Sequence, residues 1–261
     1  MDGKCESGIT GLDELLGGGF PAGGTYAIAG ASGTGKSILS FEFLINGAVK
    51  FNEPGVCILL EEDRERMLSD LRGFNWDVRK LETAGKLKVI PYIKSIIGDV
   101  EATFESSMLS GEDGRANKLR EYLTVDSLFK EVEQSCRTIG AKRVVIDSLT
   151  AITLLAENQL VARMQTLWLI EKLRKLNVTT LVTVEEGISY WNDMLFLCDG
   201  IVSMMLRERS GIFERGLLIE KMRGTAHDTG VRPLKITPDG VTVYPNEVIA
   251  QITDHSRKAG V

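Results

Sequence analysis

The chain has 261 residues, 43% of them hydrophobic and 26% charged, and a formal net charge of −5. That length can bury a sizeable core, the proportions are those of an ordinary globular protein, and the acidic balance disfavours a broadly basic, nucleic-acid-binding surface. Two histidines and four scattered cysteines without a CxxC pair cannot supply a His/Cys metal site of normal ligand spacing. The N-terminus lacks the basic start and apolar core of a signal peptide, and no stretch approaches 18 uninterrupted apolar residues. The expected compartment is therefore the cytoplasm, without membrane insertion.

In chain order, the apolar run 25–29 (TYAIA) reads as a buried strand and residues 37–49 as a helix. Between them lies Gly30 to Ser37, GASGTGKS, which completes GxxxxGK[ST]. A glycine-rich turn between strand and helix lets successive backbone N–H groups converge on a polyphosphate, and the helix N-terminus adds partial positive charge. Lys36 is placed to reach the β and γ phosphates and Ser37 to put its hydroxyl on Mg²⁺.

Further apolar runs at 55–60 (GVCILL), 87–91 (LKVIP), 143–146 (RVVI) and 179–184 (TTLVTV) read as strands. Helical periodicity occupies 63–72, 125–139 and 159–176. In the last of these, Leu160, Met164, Leu167, Ile170, Leu173 and Leu176 are expected to form one sheet-facing row. Alternation of strands and helices predicts an α/β fold with a mainly parallel central sheet covered by helices on both faces. Past Asp199, GIVSMML, GLLIEKM, PLKIT and VTVYP are separated by polar or turn segments, and they predict antiparallel hairpins at the C-terminal edge of the sheet. No linker divides the chain, so residues 1–261 read as a single domain, with 95–124 a variable surface insertion and 248–261 a flexible tail.

Two strands end in carboxylates. RVVID ends in Asp147, as a Walker B element does, and is suited to Mg²⁺; CILLEED ends in Glu61 and Glu62, which could orient water for in-line attack on a γ phosphate or be solvated acids at a helix entry. Farther along, strand alternation puts Lys221 and Arg223 on one face with Met222 on the other. Followed by Thr225 and His227, this pair reads equally well as a phosphate site or as ordinary surface charge.

The phosphate loop, Glu61-Glu62, the IDS of residues 146–148 and above all KMRGTAH at 221–227 together resemble the KaiC family of RecA-type ATPases. SGITGLDELLGGGFPAGG, residues 7–24, is similar to that family's lead-in to the first strand. The resemblance covers roughly residues 4–247 and is that of a single-domain relative of a clock protein with two such domains. It implies a RecA-like P-loop NTPase core and a homo-oligomeric ring, commonly a hexamer, with ATP at each subunit boundary. Ser32, Gly33, Thr34, Gly35, Lys36, Ser37 and Ile38 would bind ATP in one subunit. Glu61 would be the general base, with Glu62 beside it and Glu61 and Asp147 near the metal. Lys221, Met222, Arg223, Thr225 and His227 would reach the neighbour's nucleotide, Lys221 and Arg223 acting in trans.

The segment matching the clock protein's phosphoacceptor strand, MLFLCDG at 194–200, has no hydroxyl, so autophosphorylation there and timekeeping are not carried over. The expected function is slow, Mg²⁺-dependent ATP hydrolysis by a regulatory or signalling ring. The alternatives are a nucleotide-gated assembly module with little hydrolysis and, less favoured, a DNA recombinase or helicase. For the last, Tyr190 and Trp191 could stack on bases, but Glu185, Glu186 and Asp193 would repel phosphate. The absence of NKxD or TKxD disfavours guanine specificity, the lack of GxGxxG disfavours a Rossmann site, and transfer of the γ phosphate to a protein partner stays open.

Overall fold

The computed structural model describes residues 3–92, 124–151, 156, 158–186, 195–209 and 211–249. Its centre is a nine-stranded sheet. The strands are β3 (Thr25–Gly30), β4 (Gly55–Leu59), β5 (Leu87–Pro91), β6 (Arg143–Asp147), β7 (Thr179–Glu185), β8 (Gly200–Arg209), β9 (Ile212–Met222), β10 (Arg232–Thr237) and β11 (Gly240–Val243). They lie in the order β11-β10-β9-β8-β3-β7-β6-β4-β5. A separate two-stranded ribbon pairs β1 (Lys4–Cys5) with β2 (Phe20–Pro21).

Every pairing from β8 through β3, β7, β6 and β4 to β5 is parallel, while β8-β9, β9-β10 and β10-β11 are antiparallel. The α/β class with a mainly parallel central sheet, expected from the pattern, is the one found. One detail differs: GIVSMML was expected to belong wholly to the antiparallel region, yet the first four residues of β8 pair parallel with β3 before the strand runs on with β9. β8 is thus the joint between the two halves of the sheet.

Both faces of the parallel strands are apolar, and strand alternation sorts them into two cores. Tyr26, Ile28, Cys57, Leu59 and Val145 join one core. Ala27, Ala29, Val56, Ile58, Val144 and Ile146 join the other. The first is covered by α1 (Leu12–Leu15), α2 (Lys36–Lys50), α3 (Arg64–Asp70) and α4 (Val78–Thr83), the second by α5 (Val125–Ile139) and α6 (Gln159–Lys175). α5 begins at a capping box in which Thr124 and Ser127 satisfy each other's backbone N–H. The short elements β1, β2, α1 and α4 have no counterpart in the periodicity, because two to six residues are too few to display one.

The row expected along α6 is corrected. Leu160 and Met164 are 69% and 58% exposed, Leu167 is exposed as well, and Ala162, Thr166, Leu169, Ile170 and Leu173 face the sheet. Repeated steps of three retreat by about 60° each around a helix of 3.6 residues per turn, so Leu160 and Leu173 cannot share a face. The residues that fell at 187–194, including Tyr190 and Trp191, and most of 95–124 lie outside the described residues, as does nearly all of 248–261. Among the described residues, no helix is long and apolar enough to cross a membrane.

Candidate functional site

The parallel strands point their C-terminal ends to one edge of the sheet, where the carboxylates and the glycine turn meet. β3 ends at Gly30, and α2 begins at Lys36 after Gly35, whose φ of 106° is left-handed. A Cβ on Gly30 would stand 2.2 Å from the Met204 carbonyl oxygen, so that position needs glycine for space, while Gly35 needs it for its left-handed backbone, a Cβ there meeting only the movable end of Ile236 at 2.5 Å. Thr34 is fully buried; its hydroxyl donates to the Ala31 carbonyl at 2.8 Å and its backbone N–H to the same carbonyl at 3.4 Å, so it braces the turn from behind and is not part of the cavity wall. Lys36 Nζ donates to the carbonyls of Gly30 at 2.8 Å and Ala31 at 3.0 Å. Burial lowers the pKa of this ammonium; Glu185, Asp147, Glu186 and Glu61 oppose that shift.

Ser32, Gly33, Gly35, Lys36, Ser37, Ile38, Glu61, Glu62 and Asp147 line one cavity of about 380 Å³. β6 pairs with β4 so that Asp147 stands opposite Leu59, and the Leu60 N–H donates to the Asp147 carbonyl at 2.7 Å. This register brings Glu61 within reach of the residue after Asp147: Ser148 Oγ donates to Glu61 Oε2 at 3.0 Å. The Asp147 carboxylate accepts from the Thr183 hydroxyl on β7. Glu62 has its pKa raised by burial and by the negative charges of Asp70 and Asp147, which the nearby Arg66 offsets in part.

The cavity also contains residues that motif reading missed. Arg215 on β9 lines it, donates through a terminal nitrogen to the Gly33 carbonyl at 3.3 Å, and has a buried Nε without a partner among the described residues. Glu185, Ser148, Asp70 and Ile236 line it too. Arg215 lies far from the glycine turn in sequence and is carried there by the β8-β9 hairpin, a placement that no local pattern encodes.

Lys221, Met222, Arg223, Thr225 and His227 lie elsewhere. Met222 pairs with Gly200, which pairs with Tyr26 near the start of β3, so this group stands at the sheet edge opposite the glycine turn. Four steps along the strand alone separate Tyr26 from Gly30, about 13 Å at some 3.3 Å per step. Within one chain the two groups of residues are therefore not brought together.

Just before Lys221, Glu220 is the extra residue of a bulge, which re-aims the strand end. Lys221 Nζ donates to the carbonyls of Phe196 at 2.8 Å and Cys198 at 2.7 Å, and its pKa is lowered by burial and then by Arg223. Met222 is buried in the first core, Arg223 is exposed, and His227 is half-buried. The Thr225 hydroxyl accepts from Lys4 Nζ of its own chain at 2.8 Å.

A family profile described as "ATPase: KaiC" matches residues 5–248. The chain belongs to the KaiC ATPase family. A UPF0273 protein of Methanocaldococcus jannaschii is 34% identical over 94% of this chain and 98% of its own length. The circadian clock oscillator protein KaiC of a Nostoc species is 33% identical over 93% of this chain but only 44% of its own, so the chain spans about half the length of that KaiC. Among solved structures, a KaiC-like protein of the hyperthermophilic archaeon Pyrococcus horikoshii superposes with a TM-score of 0.78 at 33% identity, covering 93% of this chain and 99% of that one. Membership of the KaiC family makes this a RecA-like P-loop ATPase fold and agrees with the nucleotide reading of its glycine turn.

Proposed function

We propose that the chain is a Mg²⁺-dependent ATPase that works as a homo-oligomeric ring, each active site being completed by an adjoining copy. The observation that carries this reading is the division of the site residues between two opposite sheet edges. Lys36, Ser37, Glu61 and Asp147 converge on one cavity, while Lys221 and Arg223 stand at the other edge of the same sheet. Cations at that edge meet a triphosphate only if it is held by another copy, as in a heterologous, head-to-tail contact that closes on itself.

In this reading the backbone N–H groups of Ser32 to Ile38 and the Lys36 ammonium hold the phosphates, with Arg215 adding a guanidinium from the same chain. Ser37, Asp147 and Glu61 form an all-oxygen donor set of the kind that suits Mg²⁺, which when bound would neutralise charge on the phosphates. Glu61 accepts a proton from the attacking water, and the Ser148 hydroxyl holds its carboxylate in place. Lys221 and Arg223 of the adjoining copy stabilise negative charge on the transferring phosphoryl group, and Thr225 and His227 complete that wall. The described residues work together as one unit, and the ring serves a regulatory or signalling role.

Phosphate release by the wild type and by Glu61→Gln/Glu62→Gln tests the chemistry, with light scattering on the same samples with and without ATP and Mg²⁺. Nucleotide-dependent assembly with release well above the double variant supports the ATPase. Assembly without that difference leaves a nucleotide-gated interaction module instead.

A further inference from the structure

The turn after β9 that carries Arg223, Thr225 and His227 is anchored by the chain's own N-terminal ribbon. β1 pairs with β2 in the register Lys4 to Pro21 and Cys5 to Phe20, and the connection doubles back through Gly17, Gly18 and Gly19. A Cβ on Gly19 would stand 2.6 Å from the Cys5 carbonyl oxygen, so the return path can pass this close to β1 only with glycine there. This brings three acceptors to one ammonium. Lys4 Nζ donates to the Leu16 carbonyl at 3.1 Å, the Gly19 carbonyl at 3.2 Å and the Thr225 hydroxyl at 2.8 Å. An ammonium has three donors and no acceptor, so this set uses all of them and fixes the nitrogen's position.

The ends of the turn are held by backbone bonds. Arg223 N–H donates to the Asp199 carbonyl at 2.8 Å and Asp228 N–H to the Leu15 carbonyl at 3.2 Å. Asp228 is further clamped by Arg232 at 2.9 and 2.5 Å. Between those ends the Lys4 to Thr225 bond supplies a side-chain tie from outside the turn. The Thr225 hydroxyl, having accepted from Lys4, passes its own hydrogen to the Ala226 carbonyl at 3.2 Å. That hydroxyl is thus engaged on both sides within its own chain.

We propose that Lys4 is a positioning residue for ATP hydrolysis, holding the 223–227 turn through the Thr225 hydroxyl so that Arg223 is presented to the nucleotide of the adjoining copy. The inference rests on the trans reading above and deepens it by giving Thr225 the part of a handle for Lys4. Lys4 itself touches no reacting atom. Its loss leaves phosphate binding at the glycine turn intact and lets the turn shift by a fraction of an ångström, which is enough to weaken a stabilising contact made in the transition state.

The test is steady-state ATP hydrolysis by the assembled full chain, with kcat and KM read separately for Lys4→Ala, Thr225→Val, the two together, and Lys4→Ala in an Arg223→Ala background. Lys4→Ala should lower kcat about tenfold at unchanged KM, and Thr225→Val should lower kcat by a similar factor. The double variant should lose no more than either alone, Lys4→Arg should recover part of the rate, and Lys4→Ala should have no further effect once Arg223 is gone. Unchanged kcat in Lys4→Ala, or a full additional loss in the Arg223→Ala background, would overturn the positioning role while leaving the trans reading standing. Unchanged kcat in Arg223→Ala alone would overturn both.

Discussion

Ser148 Oγ donates to Glu61 Oε2 across 3.0 Å, joining the residue after β6 to the carboxylate after β4. The bond exists because the parallel register sets Leu59 against Asp147, so the two strands release their next residues side by side. A base held in this way is pre-aimed. Removing the hydroxyl costs it one neutral-to-charged hydrogen bond, about 1.5–3 kcal/mol. Ser148→Ala is expected to lower kcat by about tenfold or somewhat more, with nucleotide affinity unchanged. Single-turnover hydrolysis alongside equilibrium nucleotide binding checks both halves of that statement.

Glu42 on α2 is buried, and its carboxylate accepts from the Val241 N–H at 2.6 Å, tying the helix that begins at Lys36 to the β10-β11 turn. A Cβ on Gly240 would lie 2.6 Å from that carboxylate, so the turn must be glycine to admit it. Burial pushes the Glu42 pKa up to about 6, against the opposing pull of the Val241 N–H, Asn46 and Lys50. The folded chain therefore binds this proton more tightly than the unfolded chain, and the associated stability is present at pH 4 and lost as pH rises through 6. Glu42→Gln keeps an acceptor for Val241 and removes the charge. It should stabilise the chain at pH 7 by about 2 kcal/mol and give no gain at pH 4. Urea unfolding without nucleotide at the two pH values measures the difference.

Arg143 opens the strand that ends in Asp147 and is only 1% exposed. Its Nε and a terminal nitrogen reach Glu53 Oε2 at 2.7 and 2.6 Å, its other terminal nitrogen donates to the Phe43 carbonyl at 2.9 Å, and the guanidinium lies over the Phe43 and Phe51 rings. A lysine has one nitrogen for these partners and no plane to stack. Arg143→Lys should destabilise the chain by about 2–4 kcal/mol, because one ammonium cannot serve both the buried Phe43 carbonyl and the half-buried Glu53 carboxylate as the guanidinium does. Thermal unfolding reads it.

The exposed row on α6 gives a contrast. Met164→Gln, on the outward side, should change stability by less than about 0.5 kcal/mol, whereas Leu169→Ala, on the sheet side, should cost about 2–4 kcal/mol. Both are measured by denaturant unfolding.

Much of the fold was legible because its signals are local. Runs such as RVVI and TTLVTV are apolar on both faces, as strands buried between two helical layers must be, and Gly30 to Ser37 carries its own punctuation. The α6 row misled because leucines three apart look aligned in a line of text but precess around a helix. Arg215, Ser148 and Lys4 were not legible as site residues. Each acquires its place from a register or a ribbon that joins distant parts of the chain; Arg215 and Lys4 belong to no motif, and the IDS that contains Ser148 does not say what its hydroxyl meets. KMRGTAH stood out as a sequence, but its position at the sheet edge opposite the glycine turn follows only from the pairing of Met222 with Gly200.

The division of one site between two copies is tested most directly by mixing two impaired variants, Lys36→Ala and Arg223→Ala, under conditions in which subunits exchange. A boundary that draws its glycine turn from an Arg223→Ala subunit and its cations from a Lys36→Ala subunit is intact, so an equimolar random mixture should regain about a quarter of wild-type turnover per site. If each chain instead completes its own site, every subunit in the mixture stays defective, and turnover no higher than the sum of the separate variants would contradict the account.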